Sequence, residues 1–208
     1  MSYKSIPTRN LSGISWMIDT HVIDDPKFND HLFKMYELGW IYLQTPDTVF
    51  NELRTRKDLK HRDELLDKRD SFSMPLGPHI LGQSSLDFSI ASSRNEESRI
   101  AKIHSALWKG RIFTEDCQKS EEGNRSAGRK VSDTLIVNCT IRYGLHVLVT
   151  NDAEVIEGAA RVREEVGNFY AWNVESATLI ALSAIEKVRK LRLAPSDRLW
   201  KEDLPVWP

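Results

Sequence analysis

Four acidic residues, Asp19, Glu52, Asp133 and Asp152, stand where chemistry could be done, at successive separations of 33, 81 and 19 positions. Asp19 directly follows the apolar run Ile14-Ser15-Trp16-Met17-Ile18, which reads as a buried parallel strand. Asp152 closes Thr150-Asn151-Asp152, behind a second such run, His146-Val147-Leu148-Val149. Asp133, preceded by Ser132, opens a helix, and Glu52 falls in the first turns of a helix that follows a further strand. In an open parallel sheet the carboxyl ends of the strands and the adjoining helix starts line the crevice where ligands bind. Four carboxylates converging there repel one another, a cost that a cation among them offsets. An all-oxygen donor set favours Mg²⁺ or Mn²⁺ over zinc. Taken singly, each acid has a plainer use: Asp19 and Asp152 as cap or turn residues, Asp133 as an acid at a helix N-terminus, Glu52 as surface charge. It is their joint placement that points to a metal centre.

The chain around these acids alternates strand and helix. Asp25-Pro26 gives a helix cap followed by proline in the first turn; Phe28, Leu32, Met35 and Tyr36 follow at helical spacing, and Gly39 stands where a C-terminal cap belongs. Trp40 to Leu43 reads as the second strand. Thr45-Pro46 then repeats the cap signal ahead of Val49, Phe50 and Leu53. Residues 54–69 read as a solvated, charged helix, and 71–85, with Pro75, Gly77, Pro78 and Gly82, as a loop. Ile100, Ile103 and Leu107 mark a packed helix, while 119–130 (KSEEGNRSAGRK) reads as an exposed, mobile loop. Beyond it, Leu135, Ile136, Cys139 and Tyr143 share a helical face that ends at Gly144. A polar helix over 153–165, a strand near 169–172 and a last helix over 175–191, burying Leu179, Leu182, Ile185 and Val188, complete the order. Trp40 and Trp172 fall at strand positions and read as core, and the scattered histidines as structural. The fold class is therefore α/β with a central parallel sheet.

Four segments resemble the motifs of PIN-domain ribonucleases. Met17-Ile18-Asp19-Thr20-His21-Val22 is similar to the first, an apolar strand ending in Asp-Thr-Asn, and Pro46-Asp47-Thr48-Val49-Phe50-Asn51-Glu52-Leu53 to the second. Ser132-Asp133-Thr134-Leu135-Ile136 resembles the third and Leu148-Val149-Thr150-Asn151-Asp152 the fourth. The resemblance covers 14–56 and 130–175 in the right order. Two positions depart from it: His21 stands where the family commonly has Asn, and Glu154-Val155 replaces the usual Asp-Phe after the last acid. The gap between Glu52 and Asp133 is also longer than in compact toxin-type members. The resemblance implies a PIN-like three-layer α/β/α domain over 1–208, with an inserted helical and loop segment at about 60–130 and a C-terminal tail at 193–208. It implies a metal-dependent endoribonuclease that leaves a 3′-hydroxyl and a 5′-phosphate. Asp19, Glu52, Asp133 and Asp152 would hold Mg²⁺ or Mn²⁺, which acidifies a water and neutralises charge on the phosphate. Thr20, Thr150 and Asn151 would orient carboxylates or water, or else bond backbone at the strand ends. The implied partners are RNA, a second copy of the chain, and, in a toxin–antitoxin pair, a small inhibitor covering the acidic cleft.

The composition sets bounds around that reading. Across 208 residues, 29 Lys+Arg against 30 Asp+Glu give a net charge of −1, so any attraction to nucleic acid must be local. Arg54, Arg56, Lys57, Lys60 and Arg62 form one basic cluster just past Glu52; Arg125, Arg129 and Lys130 form another before Asp133. Of these, Arg54, Arg56, Lys57, Arg129 and Lys130 are the residues expected to contact substrate phosphates. Two cysteines without metal-like spacing exclude a disulfide framework and a cysteine zinc site. No apolar run approaches the roughly 18 residues of a membrane span, and MSYKSIPTRN lacks the layout of a secretion signal, so a cytoplasmic location is expected. Two other functions fit less of the chain. A PIN-like module without catalysis would bind RNA or serve assembly, but it would not need all four acids. A haloacid-dehalogenase-like phosphatase, with Asp19 as nucleophile, wants a second Asp where His21 stands and a lysine after a strand that the sequence does not offer.

Overall fold

The computed structural model describes residues 10, 12–54, 57–73, 77–78, 89–90 and 93–192. The expected tail, 193–208, lies outside them. The main sheet is four-stranded and all parallel, in the order β2-β1-β5-β6, formed by β1 (Ser15–Ile18), β2 (Tyr42–Gln44), β5 (Val147–Val149) and β6 (Tyr170–Trp172). Trp16 lies opposite Leu43, and Met17 opposite Leu148. Residues at both faces of β1 and β5 are buried, which is why these strands read as continuous apolar runs. The second strand begins two residues later than expected; Trp40 and Ile41 lead into it and are themselves core.

Helices connect the strands. A single turn, α1 (Thr20–Ile23), follows β1; α2 (Pro26–Phe28), a π-helical stretch (Asn29–Phe33) and α3 (Lys34–Glu37) then run without a break. Gly39, at φ 71, closes that segment in the left-handed conformation that its position requires. After β2 come α4 (Asp47–Arg54) and α5 (Leu59–Arg69), the latter capped by Asp58. Lys68 of α5 donates to the Ile23 carbonyl at 2.7 Å with its ammonium against the Phe28 and Phe33 rings, and burial lowers its pKa to about 8. The second half contains α6 (Arg94–Leu107), α7 (Phe113–Glu121), α8 (Arg125–Arg142), α9 (Ala153–Val166) and α10 (Val174–Arg192). Gly158 of α9 is where α6 approaches closest: a Cβ there would stand 2.8 Å from a Leu107 methyl and 3.2 Å from its Cα. No helix among the described residues is long and apolar enough to cross a membrane.

Four expectations are corrected. The segment 119–130 is not a loop. It holds the end of α7 and the start of α8, because Asn124 caps α8 by accepting from the Ser126 and Ala127 amides and Ala127 is buried. Asp133 therefore lies in the third turn of a helix that starts eight residues earlier, not at its opening. Within 71–85, Gly77–Pro78 (β3) pairs in parallel with Ser89–Ile90 (β4), so that stretch is not wholly loop. On α10 the buried face carries Ala177, Ala181 and Ile185, whereas Leu179 is 63% exposed. Small residues let α10 sit close, and the large leucine two positions from Ala177 and from Ala181 faces outward.

Candidate metal centre

Each of the four acids arrives from a different element. Asp19 is the first residue beyond β1, Glu52 lies on α4 after β2, Asp133 on α8, and Asp152 caps α9 after β5. Asp19 and Asp133 are 3% and 7% exposed, burial that a carboxylate accepts only at a cost. The groups feel one another through space. Burial raises the Asp19 carboxyl above its ordinary pKa, and the charge of Asp152 adds to the rise. Glu52 is pushed up to about 7, by burial first and then by Asp19. Asp133 is raised well above its ordinary value, by burial and then by Asp19, Glu52 and Asp152 in turn. Arg129 is the cation that opposes the rise at both Glu52 and Asp133.

The neighbours expected to orient these acids are mostly in place. Thr20 donates its hydroxyl to Glu52, and Ser132 also bonds that carboxylate. Thr150, fully buried, donates to Asp19 Oδ2 at 2.7 Å and accepts the Asp152 amide at 3.1 Å. One hydroxyl thus ties two of the acids. Asp19 Oδ1 accepts the Thr20 amide, and Asp152 Oδ1 accepts the amides of Glu154 and Val155. The capping use of these two acids and their place in the cluster coexist, since each caps with a single oxygen. Asp133 accepts no hydrogen bond and has no ion-pair partner among the described residues. Asn151 behaves differently from expectation: its amide donates to Asp25 Oδ2 at 2.7 Å and accepts weakly from the Val174 amide. It fixes the turn that presents Asp152 by bridging the cap of α2 and the start of α10. Asp25 was legible only as a cap; its grip on Asn151 spans 126 positions and left no local signal.

The expected basic residues divide. Arg129 stands at the acids, 3.9 Å from Asp152 Oδ2, and donates to His21 Nε2 at 3.0 Å. His21, Arg129, Asn151, Asp152, Ala153 and Glu154 line an open cleft of about 340 Å³. Lys130 leaves the acids: it packs on the Trp108 ring, 4.1 Å from its centre, and faces Glu154 at 3.5 Å. Arg54 and Lys57 are exposed, without a contact to the four acids among the described residues. Arg56 lies outside those residues, as does the Lys60 side chain.

An all-oxygen, mostly buried donor set whose members raise one another's pKa suits a hard divalent cation in kind. Among the described residues no three Asp, Glu, His or Cys side chains are gathered as they stand at ion-holding distances. Each of Asp19, Glu52 and Asp152 is held by a hydroxyl or amide. No family model matches the chain, and no curated protein matches it significantly.

Proposed function

We propose that this chain is a PIN-like, Mg²⁺- or Mn²⁺-dependent endoribonuclease of three-layer α/β/α build, with Asp19, Glu52, Asp133 and Asp152 as its metal-binding acids. The observation that carries the reading is Asp133. A buried carboxylate with no hydrogen-bond or ion-pair partner among the described residues, pressed by three other acids, costs stability in a metal-free fold. Such a group is retained where something not yet bound uses it. The order of the acids along the chain, strand end, helix, helix and strand end, is also that of the PIN motifs.

A bound divalent cation would supply an acidified water and neutralise charge growing on the phosphate. The protein's own groups supply the rest. Thr150 holds Asp19 and the Asp152 backbone in one frame, so the acids of β1 and β5 keep a fixed relation. Thr20 aims Glu52 from α4 toward the end of β1. Arg129 puts a guanidinium in the lining of the cleft, where a phosphate of the substrate would be met by a planar, always-charged donor.

The test is cleavage of a mixed single-stranded and structured RNA pool with Mn²⁺ or Mg²⁺, against an EDTA control. Asp19→Asn and Asp152→Asn, each shown to be folded, should lose activity by at least about a hundredfold, the loss of several kcal/mol of charge stabilisation. Metal-dependent cleavage that survives both substitutions would overturn the assignment of the site. Wild type that is inert even after denaturation and refolding, and takes up no Mn²⁺ in calorimetry, would leave a PIN-like binding module without catalysis.

A further inference from the structure

A second pocket, of about 350 Å³, lies where the end of α6 meets α9, lined by Lys102, Ser105, Lys109, Arg161, Glu164 and Glu165. Arg161 is engaged by the fold: its Nε and Nη2 donate to the Ala106 and Leu107 carbonyls at 2.7 and 3.0 Å. The Trp108 and Gly110 amides bond the His104 and Ser105 carbonyls. The last four carbonyls of α6 are thus all bonded, and a fixed guanidinium meets the negative end of the helix. Lys102 and Lys109 are exposed and enter no ion pair among the described residues, although two glutamates share their pocket. Lys34, Lys119 and Lys190 each pair with an acid four residues earlier on their own segment; α6 places Ser98 and Ser105 at those positions. Lys109 also stands against the local backbone. Its φ is 52, and the Gly110 amide bonds the Ser105 carbonyl five residues back, a helix ending that favours glycine at position 109. The same bond closes α3, α7 and α8, where Gly39, Gly123 and Gly144 hold that place. A lysine kept at a glycine position, and left without a carboxylate partner, points to use outside the fold.

We infer that the α6–α9 pocket is a phosphate-binding site for the RNA strand, in which Lys102 and Lys109 each meet a backbone phosphate outside the acid cleft. The two places adjoin. Glu154, in the lining of the cleft, and Arg161 lie seven residues apart on α9, about 10 Å along its axis. Lys130 stands between them, against the Trp108 ring and Glu154. Lysine ammonium groups are compact point charges without the fork of arginine, which suits holding a strand by its backbone rather than reading its bases. The Ser105 hydroxyl adds a neutral donor between the two lysines, while Glu164 and Glu165 temper the attraction. The inference rests on RNA as the substrate and not on the metal reading of the four acids.

The experiment is anisotropy of a short fluorescent single-stranded RNA of mixed sequence, titrated with the full chain in EDTA over a series of salt concentrations. Lys102→Gln and Lys109→Gln should each weaken binding by about fivefold at low salt and reduce the slope of log K against log salt by about 0.7. Lys109→Gly separates binding from folding. It removes the charge but supplies the residue that the helix ending favours, so Tm should hold or rise while RNA binding falls as in Lys109→Gln. Glu165→Gln should tighten binding by about twofold, and Lys190→Gln, whose lysine is paired on α10, should leave it unchanged. A salt slope that is the same in wild type and in the Lys102→Gln, Lys109→Gln double variant would overturn this inference and leave RNA as the substrate. A fall in Tm that parallels the loss of binding in every lysine variant would overturn it by assigning the lysines to the fold. Lysine-dependent binding of inorganic phosphate in calorimetry, with RNA binding unmoved by the same substitutions, would overturn it in favour of a small anion. Wild type that binds no RNA would also overturn it, whereas metal-dependent cleavage in the assay above would still uphold the nuclease.

Discussion

The molecule buries acids in two places and treats them in opposite ways. Asp116, on α7, is 1% exposed, yet its carboxyl is drawn down to about 2, first by the hydrogen bonds of Arg111. Arg111 grips both of its oxygens, at 2.7 and 2.5 Å, and His104 of α6 approaches Oδ2 at 3.0 Å. The histidine in turn meets Thr134 of α8 at 2.9 Å, so three helices are joined through one carboxylate. Asp133 is the neighbour of Thr134 in sequence and is buried almost as deeply, but it has no such partner and its pKa moves upward. Where the fold uses an acid for cohesion, it surrounds that acid with donors. Around the ends of β1 and β5 it leaves acids that raise one another's pKa, and stability alone gives no reason for that.

Breaking the satisfied region should produce the largest effect. Asp116→Ala strips the partner from a buried imidazole and from Arg111, and it should cost on the order of 3 kcal/mol. That is the low end for breaking a buried pair, because Arg111 is half exposed. Denaturant unfolding followed by circular dichroism measures it, and a loss under about 1 kcal/mol would mean that the three-helix junction is not held as described.

The same kind of substitution in the acid cluster should act with the opposite sign. In EDTA at pH 8, Asp133→Asn removes a repelled charge and should stabilise the protein by on the order of 1 kcal/mol, a rise of a few degrees in Tm. Destabilisation of similar size would mean that the Arg129 charge outweighs the three acids at Asp133.

A pH series sharpens the contrast. Glu52 rises from its ordinary 4.5 to about 7, so the folded state holds its proton more tightly than the unfolded chain does. That contribution to stability is full below the mid-4s and is lost as pH climbs toward 7. Asp116 is lowered, so its contribution is present above its ordinary 3.8 and disappears as pH falls toward 2. In EDTA, the stability difference between wild type and Glu52→Gln should therefore change between pH 4.5 and 7. The difference between wild type and Asp116→Asn should change only at more acid pH. A Glu52→Gln difference that is flat across the neutral range would contradict the raised pKa.

Local signals account for much of what was legible. Strands β1 and β5 are short apolar runs bounded by polar residues, and Asp25-Pro26 and Thr45-Pro46 carry helix starts in adjacent positions. Asp19 and Asp152 could be placed at strand ends because their caps are local, to Thr20 and to Glu154 and Val155. What failed was the stretch whose structure depends on remote packing. Residues 119–130 are polar enough to read as loop, and only the burial of Ala127 and Val131 against neighbouring helices makes them the end of α7 and the start of α8. Leu179 misled in the reverse sense, since hydrophobic spacing on α10 does not say which of two adjacent stripes meets the core. Partners far apart in sequence, such as Asn151 with Asp25 or Arg129 with His21, leave no periodicity to read.

The smallest expected effect falls on the link between the two acids that come from neighbouring strands. Thr150 is fully buried at the end of β5, donates to Asp19 and accepts from the Asp152 amide. Thr150→Val keeps the shape and removes the hydroxyl. It leaves one oxygen of Asp19 with a partner fewer in a site that already disfavours its charge, so the Asp19 pKa should climb further. Folding stability at low pH, where that carboxyl is protonated, should change by only about 1 kcal/mol. Mn²⁺ affinity should fall by about tenfold, the usual scale for losing a group that orients a ligand, and more steeply as pH drops. Calorimetry at two pH values separates these outcomes: equal losses of Mn²⁺ affinity at both would assign Thr150 to packing, whereas a larger loss at the lower pH would assign it to keeping Asp19 ionised.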